Sequence, residues 1–128
     1  KPPTDLRGLL LKPRPRRIEP VTIPTDYPAT ELAGQVYYVR ALTAREKGAF
    51  DAQFLNRRSG RLIQGKARKL RLLLVIETVC NAEGTPVFSA EDLDSLEQVD
   101  VGLIDLLVAK AQQLNSIDPT ELDDDEKK

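Results

Sequence analysis

The longest apolar run of the chain lies near its middle, where seven of the ten residues from 70 to 79 are Leu, Val or Ile. The residues before it, from Arg61 onward, are rich in strong helix formers and contain no proline, which predicts a helix over 62–80. A helix that is apolar on nearly every side is normally buried on every side. We therefore expect the other elements to pack around this central helix.

A second helix is predicted over 100–115, where apolar and polar positions recur with helical spacing. Asp100 supplies its N-cap. Its apolar face consists of Ile104, Leu107, Val108, Ala111 and Leu114, and it is widened by Leu103 and Leu106. The opposite arc holds Gly102, Asp105, Lys110, Gln112 and Gln113. This face makes the helix the expected packing partner of the central helix.

Two further helices are predicted from their caps. Thr43 and Glu46 form a capping box that starts a helix over 43–58, which residues 56–60 bring to an end. Its expected buried side holds Ala49, Phe50, Phe54 and Leu55. Ser89 and Asp92 start a short acidic helix over 89–97 in the same way. Before it, 81–84 has turn composition and 86–88 is a short extended apolar piece.

Strand composition is confined to the N-terminal part of the chain. Residues 21–23 alternate like a strand, and 35–40 combine β-branched and aromatic residues. The turn-rich residues 24–34 connect them, so we expect an antiparallel pair that leans on helices, because two strands alone are marginal. The predicted fold is α+β and mainly α: a small N-terminal two-stranded antiparallel sheet followed by a compact four-helix bundle.

Five of the nine prolines lie in the first twenty residues. Residues 1–19 are therefore predicted to be a Pro/Arg-rich arm, 20–117 a single α+β domain and 118–128 an acidic tail. Within the arm, residues 6–11 suit one helical turn that docks through Leu6, Leu9 and Leu10. The basic residues 12–17 are either a solvated linker or a docking arm for a partner or a neighbouring subunit.

Composition excludes several kinds of site. The chain has no histidine and one cysteine, Cys80, so an internal disulfide, a zinc site and a His-dependent catalytic triad are excluded. It carries no Gly-rich phosphate loop and no nucleophile with a base, and we expect no catalytic residue, metal or cofactor. No apolar run reaches the roughly 18 residues of a membrane span, and no signal peptide is recognised. We therefore expect a cytoplasmic, non-enzymatic protein with Cys80 buried.

Charge is divided unevenly along the chain. Residues 1–71 hold 16 Lys and Arg against 6 Asp and Glu, a net +10, whereas 72–128 hold 3 against 14, a net −11. Either the two halves neutralise each other within the fold or between subunits, or the basic half binds an acidic partner such as nucleic acid. The basic residues of the central helix surround it without forming one stripe, so nucleic-acid contact by this helix is not expected.

The order of several segments resembles the small tail assembly chaperones of long-tailed phages and prophages. Residues 42–46 with Phe50 are similar to that family's L-T-x-x-E…F helix start. Residues 80–92 are similar to its C-x-x-x-G-x-P-x-F-x-x-E-D segment, and 111–115 to its A-x-x-L-N close. The resemblance covers roughly residues 20–117. Each motif is structural, and it is their order and spacing together that carry the likeness.

The resemblance implies a non-enzymatic assembly factor. Such proteins bind the tape measure protein, a long, helical and partly apolar chain, while tail tube subunits gather around it, and many also exist in a longer frameshifted form. The surplus of apolar helix surface suits a groove for a partner helix or self-association into a homo-oligomer. The expected partner-binding residues are Val87, Phe88, Leu103 and Leu106, with Arg14, Arg16 and Arg17 guiding the approach. The alternatives are a small nucleic-acid-binding regulator and an oligomerising adaptor.

Overall fold

The computed structural model describes residues 5–53 and 69–117. In chain order its elements are α1 (Leu6–Leu11), β1 (Ile18–Thr22), β2 (Val36–Arg40), α2 (Ala44–Ala52), α3 (Leu70–Thr78), β3 (Val79–Cys80), a 3₁₀ turn (Ala90–Asp92), α4 (Leu93–Leu96) and α5 (Val101–Asn115). The predicted α+β class is confirmed. In these two ranges, no helix has the length and apolar content that crossing a membrane requires.

The sheet has three antiparallel strands in the order β1-β2-β3, one more than predicted. β2 pairs along its whole length with β1 and, through Tyr38 and Val39, with β3. The third strand exists because the central helix ends at Thr78, and Val79 is already extended with φ −74° and ψ 130°. The predicted helix therefore runs two residues too far, and those two residues, Val79 and Cys80, join the sheet.

β1 begins three residues earlier than predicted and contains Pro20. Beyond its two ends, the Ala41 amide donates to the Arg17 carbonyl at 2.8 Å and the Ile23 amide to the Gln35 carbonyl at 2.9 Å. Since bonding to the neighbour alternates along an antiparallel strand, the nitrogen of Pro20 faces away from β2. The proline is tolerated because β1 is an edge strand and no ladder bond is lost.

The core lies between the sheet and the pair of helices α3 and α5. Leu74 and Val75 of α3, Val108 of α5, Val39 of β2 and Val79 of β3 are fully buried. The predicted apolar face of α5 is confirmed, since its buried residues are Leu103, Ile104, Leu107, Val108, Ala111 and Leu114. This aliphatic layer fixes the sheet relative to the helices.

α3 is buried on one side only, which corrects the expectation that it is surrounded. Its buried residues are Leu70, Leu74, Val75 and Thr78. Leu72, Leu73 and Ile76 are half-buried and pack along the margin of the core. Packing against α5 and α4 covers one side of this nine-residue helix. Residues 62–68, the first part of the predicted central helix, lie outside the described residues.

The predicted four-helix bundle is not confirmed. In α2 the buried residue is Phe50, whereas Ala49, expected on the buried side, is exposed. The predicted helix over 89–97 is instead a 3₁₀ turn followed by the four residues of α4. The principal packing is that of α3 against α5 and of α5 against β1 and β2. Phe54, Leu55, the predicted break at 56–60 and the acidic tail over 118–128 lie outside the described residues.

Side-chain hydrogen bonds fix the ends of the elements. The capping box is confirmed, because Thr43 Oγ1 accepts from the Glu46 amide at 3.1 Å and the Glu46 carboxylate accepts from the Thr43 amide at 2.9 Å. At the end of α5, Asn115 Oδ1 accepts from the Leu42 amide at 2.6 Å, and Nδ2 donates to the Arg40 carbonyl at 3.4 Å. Asn115 therefore joins α5 to the connection between β2 and α2.

Ion pairs link the basic and the acidic half of the chain in two places. Arg71 on α3 pairs with Asp105 on α5. Lys110 on α5 pairs with Glu19 on β1 at 3.4 Å. The first pair neutralises part of the charge asymmetry, whereas the second does not, because Lys110 belongs to the acidic half and Glu19 to the basic half.

Candidate functional site

An open groove with a volume of about 400 Å³ lies beside β2 and β3. It is lined by the end of the loop before β2, by the start of β2, and by residues around the turn after β3. These residues are Glu31, Leu32, Gln35, Val36, Tyr37, Tyr38, Cys80, Asn81, Ala82 and Val87. The groove is therefore built by two connections on either side of one strand pair.

The turn after β3 forms one wall of the groove, and Asn81 organises it. The Asn81 carboxamide oxygen accepts from the amides of Glu83 at 2.9 Å and Thr85 at 3.0 Å. Gly84 has φ 87°, a left-handed conformation that glycine adopts without steric cost. The chain then returns along β3, where the Val87 amide donates to the Val79 carbonyl at 3.2 Å. This return holds Val87 beside the sheet.

The loop over 24–35 forms the other wall. It is closed by the Gly34 amide, which donates to the Ile23 carbonyl at 3.0 Å. Farther along, the Tyr27 hydroxyl donates to the Asp100 carboxylate at 2.8 Å, and this hydrogen bond raises the pKa of Tyr27 because it favours the neutral phenol. Asp100 also caps α5 by accepting from the Gly102 amide at 3.2 Å. The loop is thus tied to the N-terminus of α5.

The groove offers apolar surface to a ligand. Val36, the first residue of β2, is 44% exposed, and Val87, which follows the turn after β3, is 45% exposed. Tyr38 is half-buried on the same face of β2 as Val36, and burial raises the pKa of the buried Cys80 thiol. Among the lining residues one is acidic, Glu31, and none is basic. The groove therefore suits an apolar side chain that arrives with positive charge.

Of the four apolar residues predicted to bind a partner, one lies in the groove. Val87 lines it and is exposed, whereas Phe88, the next residue, is half-buried and packs against the core. Leu103 is 8% exposed and belongs to the core, and Leu106 is half-buried and packs against it. The surface predicted on α5 is therefore mostly used inside the fold, and Leu103 is not available to a partner.

The three arginines of the predicted arm do not form one free basic patch. Arg16 donates to both carboxylate oxygens of Glu46, at 2.7 and 3.1 Å, and to the Ala41 carbonyl at 3.1 Å. This contact with Arg16 holds the pKa of Glu46 below its ordinary value. Arg14 donates to carbonyls at the end of α1, and Arg17 lies 3.9 Å from Glu19. Of the residues in the ion pairs Arg16–Glu46 and Arg17–Glu19, Arg17 has the most exposed side chain.

Sequence inspection missed Val36, Tyr37 and Tyr38 as groove residues. Strand alternation predicts that Val36 and Tyr38 lie on the face opposite Val39, which is buried beneath the helices. Alternation does not predict where the turn at Asn81 lies, and it is this turn that makes a groove on that face. In the described residues, no group of three or more His, Cys, Asp or Glu side chains is placed to hold a metal ion.

The fold is similar to that of a solved phage protein. A comparison with the tail assembly chaperone of bacteriophage HK97 gives a TM-score of 0.56, covers 85% of this chain and 91% of that chain, and aligns residues that are 17% identical. No protein-family model matches the sequence, and no curated protein matches it. The likeness confirms, at the level of the fold, the resemblance drawn from the motifs.

Proposed function

We propose that this protein is a non-enzymatic tail assembly chaperone of a long-tailed phage or prophage, acting in the cytoplasm of the host cell. The observation that carries the proposal is the fold that it shares with the HK97 tail assembly chaperone over most of both chains. The order of motifs from Thr43 to Asn115 supports the same assignment from the sequence.

The proposed partner is the tape measure protein. A long, helical and partly apolar chain exposes side chains that aggregate in water unless another surface covers them. This protein holds such segments while tail tube subunits assemble around them. Copies of the protein also associate with one another, and no cofactor takes part.

The proposed contact is an apolar helix in a groove. The groove at Val36 and Val87 supports this mode, because both side chains are exposed and Tyr38 provides aromatic surface on the same face of β2. Glu31 favours segments with Lys or Arg next to their apolar residues. Arg17 and the other basic residues of the arm act on the rate of association more than on affinity, and salt weakens their effect.

Co-expression with a tape measure protein from the same phage or prophage genome tests the proposal. We expect the wild type to raise the soluble fraction of the tape measure protein and to co-purify with it at low salt. Val36→Asp and Val87→Asp should remove both effects, because each places a charge in the apolar groove. Val101→Asp is the matched control, since Val101 is 68% exposed and lies outside the groove. Thermal melting verifies that all three variants are folded.

Two outcomes contradict the proposal. A tape measure protein that is equally soluble alone, and that does not co-purify, favours the oligomerising adaptor. DNA binding with a steep salt dependence favours the nucleic-acid-binding regulator. Against the latter, Arg16 and Arg71 are already paired with carboxylates, which reduces the positive charge left for phosphate.

A further inference from the structure

α1 exposes four leucines to solvent. Leu6 is 73%, Leu9 49%, Leu10 79% and Leu11 62% exposed, and none of the residues of α1 is buried. The helical turn predicted over residues 6–11 is present, and the leucines through which it is predicted to dock are not buried against the described residues. A six-residue helix is marginal in water, and a concentrated set of exposed leucines on it marks an interaction site.

α1 is nevertheless capped at both ends. The Asp5 carboxylate accepts from the Gly8 amide at 3.0 Å at the first turn. At the last turn the Arg14 guanidinium donates to the carbonyls of Leu9 and Lys12, which have no helical partner there. A helix held in this way loses less conformational freedom when it binds, so it is a pre-organised ligand.

α1 does not occupy the groove of its own chain, since its leucines are exposed and none of them lines the groove. Arg16 anchors the arm through Glu46 and the Ala41 carbonyl, at the Arg40 end of β2. The groove lies toward the opposite end, at Val36. Residues 12–15 between α1 and the anchor include two prolines and form a semi-rigid spacer of about 3.1 Å per residue. The spacer joins α1 to this anchor.

We propose that α1 of one copy docks into the groove of a second copy, and that the exchange is reciprocal. The two surfaces are complementary in apolar character, four leucines against Val36, Val87 and Tyr38. They are also complementary in charge. α1 and the spacer, residues 6–15, hold three basic and no acidic residues, whereas the groove lining holds Glu31 and no basic residue, with the exposed Glu83 beside it.

Reciprocal exchange gives a two-fold dimer in which each copy supplies one α1 and one groove. The inference that the protein dimerises rests on these contacts and is independent of the proposed function. Because the same groove is proposed for the tape measure protein, the α1 of a second copy and that partner compete for it. This competition alone rests on the proposed function.

Light scattering coupled to size-exclusion chromatography of the full chain tests the dimer. We expect wild type to dimerise with rising concentration. The double variant Leu6→Asp/Leu10→Asp should raise the dissociation constant at least ~10-fold, because buried leucine surface is lost from each contact. Val36→Asp/Val87→Asp should do the same through the groove. Val101→Asp is the control and should leave the dimer intact.

Mixing the two double variants gives the sharper result. One retains an intact groove and the other an intact α1, so we expect a heterodimer joined by a single α1 although neither variant dimerises alone. Exchange of amide hydrogens should slow in α1 on dimerisation. Circular dichroism and thermal melting of each variant verify the fold. The α1 substitutions replace exposed side chains, so we expect them to leave the fold intact.

Several results overturn the proposal. A wild type that stays monomeric at every concentration, or a mixture that does not form the heterodimer, excludes the exchange. A monomer whose α1 amides are protected shows that α1 docks in its own groove. Wild-type binding to anionic vesicles that is lost in the α1 variant, without a dimer, assigns α1 to a membrane surface. Tape measure capture by the α1 variant is scored separately, so failure of the dimer and failure of the chaperone function are distinguishable.

Discussion

Two helices of this chain have nearly the same local sequence and opposite surroundings. α1 reads LRGLLL and α3 begins LRLLLV. Leu74 and Val75 of α3 are fully buried, whereas Leu6 and Leu10 of α1 are almost fully exposed. The local pattern specifies a helix in both places. Burial follows from what the chain places around each helix: α5 and α4 pack against α3, whereas a proline-rich spacer follows α1.

The largest expected effect comes from truncating one leucine in each helix. Leu74→Ala should lower the free energy of unfolding by about 2–5 kcal/mol, because it leaves a cavity in a closed core. Leu10→Ala should change it by less than ~0.5 kcal/mol in the monomer. Urea denaturation at low protein concentration measures both. Equal effects would mean that α1 packs on its own domain, contrary to the comparison.

A polar residue provides the next test of the buried region. Asn115→Ala should cost about 1–3 kcal/mol, since the Leu42 amide and the Arg40 carbonyl lose a partner in a half-buried place. Gln113→Ala, at an exposed position on the same helix, is the matched control and should be close to neutral. The same denaturation experiment applies. A neutral Asn115→Ala would show that water replaces the side chain and that the end of α5 is looser than its hydrogen bonds suggest.

Removing the N-cap of α2 or of α1 compares the two regions again, with a smaller expected effect on stability. Thr43→Ala removes a capping box from a helix that buries Phe50, and should cost about 1 kcal/mol of global stability. Asp5→Ala removes the cap of α1 and should reduce helical signal without changing the unfolding midpoint. Circular dichroism measures the helical signal, and denaturation measures the unfolding midpoint of both variants. A midpoint that falls with Asp5→Ala contradicts the independence of α1.

The smallest expected effect concerns the anchor between the two regions and depends on pH. Arg16 lowers the pKa of Glu46, so their pair stabilises the native state above the ordinary glutamate value of 4.5 and loses this effect as pH falls through the lowered pKa. Arg16→Ala should therefore cost up to about 1 kcal/mol at pH 7 and almost nothing in strong acid. Denaturation midpoints at several pH values measure the difference. A cost independent of pH would assign the role of Arg16 to its bond with the Ala41 carbonyl.

Features encoded within a few residues were predictable from the sequence. The capping box at Thr43, the N-cap at Asp100 and the apolar face of α5 all depend on local spacing, and each is present. Features that require a distant partner were not. The two residues of β3 continue an apolar helix pattern, and their strand conformation depends on β2, about forty residues away in sequence.

The candidate site shows the same division. Helical periodicity marks Leu103 and Leu106 as part of an apolar face and so predicts that they bind a partner. Periodicity does not tell whether that face is already covered by the sheet and α3. Val87 was found because it lies in a short apolar piece after a turn. Val36 reads as an ordinary outward-facing strand residue, and its role depends on where the turn at Asn81 lies.

Pro20 has a consequence for how this protein avoids joining other strands. It lies in the edge strand β1 with its nitrogen turned outward, and on the other side of the sheet Pro86 bridges to Cys80 in the outermost position. Neither lateral edge can present an uninterrupted row of amides, so neither edge is a template for added strands or fibril growth. Contacts of this protein with other chains at these two edges are therefore limited to side chains.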